Sequence, residues 1–251
     1  MMTTPRFALV ALMCALAFAC HPKPKTPPPP PPPAPAEVDQ SLWAGLSRMD
    51  AQALRAAMMR GQIEAARRLI SEDSGEAASA HIDRVVSEFY APAKADYALK
   101  NLSLDVMEFK KASDAARGET DRGEMYRKLD DLTRRIEKLA PPDRQWSKPG
   151  TVKRVLQEIA HQYGEGVQSG FVVNEERYQD AFGLALVAQE IIDDAIDDGV
   201  AKDRSRTPEL KREAEGLVNM FPSASAPKSP ADAGSMLAQI SRVEMAFPGM
   251  E

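Results

Sequence analysis

Four side chains in this 251-residue chain have the types and spacing for metal chemistry: His161 with Glu165, and Glu176 with Asp180. Residues four apart share one face of a helix. If two such helices pack antiparallel, one imidazole and three carboxylates converge. That donor set suits iron or another divalent cation as cofactor. The competing reading is electrostatic. Glu175 and Glu176 would open a helix where its dipole favours negative charge, and the other groups would be solvated. No Glu-x-x-His motif of the di-iron bundles occurs.

Other chemistries find less support. Covalent haem attachment needs Cys-x-x-Cys-His, which is absent. His81 and His161 remain as axial candidates, beside methionines better suited to filling a core. Neither Gly-x-Ser-x-Gly nor His-Glu-x-x-His occurs. The chain is therefore expected not to be an enzyme. Asp193, Asp194, Asp197 and Asp198 crowd a helix C-terminus, where the dipole disfavours them. Lys202, Arg204 and Arg206 are the expected partners, with a divalent cation as the alternative.

Cys20 carries a different chemistry. Arg6 precedes an apolar run, Phe7 to Ala19, too short for a comfortable membrane span. Small residues then lead into Cys20, so residues 1–19 read as a signal peptide. Leu16-Ala17-Phe18-Ala19-Cys20 resembles a bacterial lipobox, which implies an acylated Cys20 as the first mature residue. Cys14 leaves with the signal, so Cys20 has no disulfide partner, and acylation accounts for it. The alternative is an ordinary cleaved signal. His21 stands where an aspartate would signal inner-membrane retention. The expected location is the bacterial envelope, outer membrane, facing the periplasm.

Ten of the chain's 20 prolines lie between Pro22 and Pro35. Such a stretch forms no packed core and favours extended polyproline II. Residues 20–40 thus read as a lipidated cysteine and a disordered, stand-off tether. A docking peptide for a proline-binding groove is the alternative.

Residues 41–251 are 'helical' in pattern, and no period-two run suggests strands. The expected fold is an all-α antiparallel bundle of about seven helices. Two helical halves joined at 143–150 are the alternative. Helices are expected over 41–70 with a break or bend at Gly61, and over 76–117 with an end or kink at Pro92. Met125, Leu129, Leu132, Ile136 and Leu139 form a heptad seam. Thr151 to Tyr163 and Asn174 to Asp198 read as a helical pair around a glycine-rich loop, the second helix central to the bundle. Two more helices are expected near 209–220 and 231–246, after Thr207-Pro208 and Ser229-Pro230. The net charge of −5 disfavours a nucleic-acid partner. Expected partners are the membrane, through acyl chains, and an envelope protein.

Tyr163, Gly166-Val167, Gly170, Val172 or Val173, Asn174, Glu176 and Tyr178 form a further pattern. It resembles the extracytoplasmic helical region of the high-affinity iron permease family. The resemblance lies within residues 151–198. It implies an accessory or stand-alone relative of that module, linked to iron or other cation handling. The chain lacks the Arg-Glu-x-x-Glu motif of those permeases and has no membrane domain after residue 20. The alternative is a ligand-free envelope scaffold.

Overall fold

The computed structural model describes residues 40–118, 120–142, 145–199, 206–247 and 249. The signal segment, Cys20, the tether up to residue 39, Lys202 and Arg204 lie outside the described residues. The described residues form one compact unit. After a 3₁₀ turn at Gln40–Trp43, the helices are α1 (Arg48–Ser71), α2 (Gly75–Arg84), α3 (Lys94–Ala98), α4 (Val106–Arg117) and α5 (Arg122–Glu137). They continue as α6 (Lys148–Gly166), α7 (Glu175–Asp197), α8 (Thr207–Val218) and α9 (Ala233–Ala246). Two short strands, β1 (Val167–Gln168) and β2 (Phe171–Val172), pair antiparallel between α6 and α7. The protein is an all-α bundle with this one small hairpin among the described residues. Of those residues, no helix is long and apolar enough to cross a membrane.

Helix α7 is central, as its wide apolar face predicts. Tyr178, Phe182, Leu184, Ala185, Ala188, Ile191, Ile192 and Ala195 are all buried. It packs against α6, α1 and α8. The α5 seam also holds, with Met125, Leu129, Leu132, Ile136 and Leu139 buried.

Gly61 does not break its helix. Instead it lets α1 and α7 touch. A Cβ at Gly183 of α7 would fall 2.0 Å from the Gly61 carbonyl oxygen, and one at Gly61 would fall 2.8 Å from Leu184. The glycine is there for close approach, which outweighs its poor helix propensity.

Pro92 acts as expected. Lacking an N–H, it ends the α-helical ladder. The chain passes through a π turn at Val85–Tyr90 and a 3₁₀ turn at Ala91–Ala93 before α3. Three helix starts differ from expectation. Thr207 lies inside α8 rather than capping it, with Arg206 at the N-cap position and no side-chain bond there; the other two starts gain a different cap. Ser147, not Thr151, caps α6 by accepting from Gly150 N, so Pro149 sits in its first turn. Asp232, not Ser229, caps α9 by accepting from Ser235 N. In both, a polar side chain closer to the first turn takes the free N–H. Asn174 caps α7 as expected, accepting from Arg177 N.

Candidate functional site

The polar centre of the bundle lies where α1, α2 and α7 meet. Gln62 comes from α1, His81 and Arg84 from α2, Glu88 from the π turn, and Glu176, Gln179 and Asp180 from α7. His81 is 1% exposed and Asp180 2% exposed. Gln62 Nε2 donates to Asp180 Oδ1 at 2.8 Å. That fixes Gln62 Oε1 toward His81 Nδ1, 2.8 Å away, so Nδ1 carries the hydrogen. The ring's Nε2 lies 2.9 Å from the Gln179 amide, whose facing end follows the ring's protonation.

Arg84 ties the acidic groups together. Its Nη1 reaches both Asp180 oxygens at 2.9 Å, while Nε and Nη2 bind Glu88 at 2.8 and 2.9 Å. Glu176 Oε1 also lies 2.9 Å from Nη1. Burial works against the guanidinium charge, but Asp180 and Glu88 prevail and push its pKa up. Burial pushes the His81 pKa down despite Asp180 beside it.

This geometry answers the metal expectation. Glu176 and Asp180 do share a helix face and do converge on a cation, but the cation is Arg84. His161 and Glu165 lie elsewhere, on the surface, 3.6 Å apart. Glu165 also pairs with Arg177 Nε at 3.2 Å. Among the described residues, no group of three or more His, Cys, Asp or Glu is placed to hold a metal ion. The four residues do not fit a resident metal as one set. His81 does not fit an axial haem ligand either, since both ring nitrogens are engaged within the core.

At the acidic end of α7 two lysines serve as partners, while the expected Lys202 and Arg204 lie outside the described residues. Lys148 of α6 meets Asp198 at 2.5 Å, and Lys211 of α8 meets Asp193 at 3.9 Å. Arg206 instead bonds the Met245 carbonyl.

The other side of α7 is aromatic. Phe221 lies at the centre of Tyr163, Tyr178 and Phe182, with ring centroids 5.5, 5.4 and 5.1 Å away. Tyr163 Oη donates to the Ala231 carbonyl at 2.7 Å, and Tyr178 Oη to that of Ser223 at 3.1 Å. Burial pushes the Tyr163 hydroxyl up to about 12. Glu72 clamps the same loop by accepting from Ala224 N, Ser225 N and Ser223 Oγ at 2.8, 2.7 and 3.0 Å. Partial burial opposes its charge, yet these bonds hold its pKa below the usual carboxylate range.

Sequence reasoning missed Gln62, Arg84, Glu88 and Gln179. From sequence, His81 stands out only as an axial haem candidate. The available signal was spacing: Gln62 lies on the buried stripe of α1, and His81 and Arg84 are three apart on α2. Polar residues on an apolar face need partners.

Residues 141–249 match a family model, the iron permease-associated 4-helix bundle domain. No curated protein and no solved structure matches the chain. The matched stretch contains α6, α7, α8 and α9, a four-helix unit. The resemblance expected within residues 151–198 therefore holds and extends to α9. It links this part of the bundle to iron permease-related function.

Proposed function

We propose that the chain is a non-enzymatic accessory module of an iron permease-type system, held at the bacterial envelope by acyl chains on Cys20. The match of α6–α9 to the iron permease-associated bundle carries this reading. Iron is the cargo of the system, and the module contributes contacts. The proline-rich tether would carry the bundle away from the membrane at about 3.1 Å per residue. Cys20 and its lipobox-like flank support the anchor, and more than one acyl chain is needed for a stable one. Outer-membrane placement, facing the periplasm, rests on His21.

A ligand-free envelope scaffold is the second reading, and one observation favours it: Arg84 occupies the cation position between Glu176 and Asp180. The test is co-purification of the tagged full chain, in mild detergent, with the permease-type membrane protein of the same cell. Stoichiometric recovery is expected, and its absence would favour the scaffold. Cys20→Ser should move the protein from the membrane to the soluble fraction. A membrane-bound Cys20→Ser variant would contradict the anchor.

A further inference from the structure

The hairpin between α6 and α7 is built rigidly, yet it turns apolar side chains outward. Its two turn residues, Ser169 and Gly170, have φ of 52° and 78°. Positive φ at both central positions of a two-residue loop is the type I′ turn that matches strand twist. The base is fixed to the bundle. The Gly166 carbonyl accepts from Val173 N at 2.8 Å and Asn174 N at 3.2 Å. Gly166 itself lies so close to α7 that a Cβ there would be 2.8 Å from Tyr178 N.

Alternation then sorts the side chains. Val167 is 4% exposed and Val172 half-buried, whereas Phe171 is 65% and Val173 56% exposed. Folding gains little from an aromatic ring held out in water on a fixed turn. Such a ring, held in one place, loses little freedom on docking, as the anchor of an interface should.

The surrounding charge limits what can dock. Glu165, Glu175 and Glu176 are exposed beside the hairpin. The nearby basic side chains are two, Arg177 paired with Glu165 and Arg84 paired with Glu176, Glu88 and Asp180, so with Glu175 five carboxylates meet two guanidinium groups. His161 sits against Glu165. The rim is thus acidic. It would be repelled by an anionic lipid surface and by a second copy of itself, and attracted to a basic one.

We propose that Phe171 and Val173 insert into an apolar pocket rimmed by Lys or Arg on the extracytoplasmic side of the permease-type partner. This rests on the functional reading above and names its contact. Loss of the Phe171 contact should weaken binding about ten- to a hundredfold.

The experiment compares four forms of the full chain in the co-purification assay, each with its helical circular dichroism melt recorded. The wild type and Leu99→Asp/Met107→Asp, which alters exposed apolar residues outside the hairpin, should recover the permease-type protein. Phe171→Asp/Val173→Asp should not, with an unchanged melt. Glu175→Lys should weaken recovery most at low salt. Recovery by the hairpin variant would overturn this proposal and leave the functional reading standing. Failure of the wild type would overturn both. Two further measurements name other occupants. Phe171-dependent binding to phosphatidylglycerol vesicles would assign the hairpin to lipid. A dimer in sedimentation that Phe171→Asp dissociates would assign it to a second copy. Either result overturns the proposal.

Discussion

Helix α7 faces two kinds of interior. On one side Tyr178 and Phe182 close around Phe221 with Tyr163, and only hydroxyls at the margin make polar bonds. On the other, Gln179 and Asp180 enter a network with Gln62, His81 and Arg84. The aromatic side is held by area, which is non-directional and degrades gradually. The polar side is held by partner completeness, because a buried charge without its partner is costly. The two also differ in origin. All four aromatic residues lie within the family-matched stretch 141–249, whereas Gln62, His81 and Arg84 lie before it. The matched four-helix unit is therefore completed by α1 and α2, which cover the second face of its central helix.

The largest effect should come from breaking the polar side. Asp180→Ala leaves Arg84 to Glu88 and Glu176, takes away its most buried partner and removes the acceptor of Gln62, at a cost of about 3 kcal/mol or more. Urea unfolding measures it, and a loss below about 1 kcal/mol would show that the network is dispensable. Phe221→Ala should cost about 3 kcal/mol by leaving a cavity among three rings. The two variants should part in pH dependence. Stability lost in Phe221→Ala should be constant from pH 7 to 5.

His81 sharpens the contrast. Its folded pKa lies below the unfolded value, so its contribution is present above about pH 6.5. It is lost as pH falls toward the folded pKa, because the unfolded chain then binds more protons. Wild-type protein should lose stability between pH 7 and 5, and His81→Leu should flatten that slope. Glu72 acts in the same direction at lower pH: its depressed pKa adds stability above about pH 4.3 that fades as its carboxylate protonates.

The smallest effect has the opposite sign. Burial raises the pKa of Glu158, which takes a 2.5 Å bond from Gln162 Nε2. Its stabilising contribution is therefore full at low pH and is lost as pH rises through its folded value. Glu158→Gln should keep that bond without the charge and stabilise the protein at pH 7 by less than about 1 kcal/mol. A thermal melt checks the gain, and destabilisation at pH 7 would contradict it.

Periodicity made most of the helices legible. The α5 seam and the α7 face follow from spacing alone, and Asn174 announces its own cap. The failures are tertiary. Gly61 reads as a breaker until Gly183 is known to lie against it, and no single-helix pattern contains that pairing. The carboxylate pair on α7 reads as a metal site but meets Arg84, which the sequence separates from Asp180 by 96 positions. The hairpin was hidden because strands of two residues are too short to show a period.

The most direct test of the functional account is uptake of radioactive iron by cells of the native host. Deleting the chain should lower uptake, the wild type should restore it, and Cys20→Ser should restore it poorly. Uptake unchanged by the deletion, under iron limitation and with the permease-type protein present, would contradict the account.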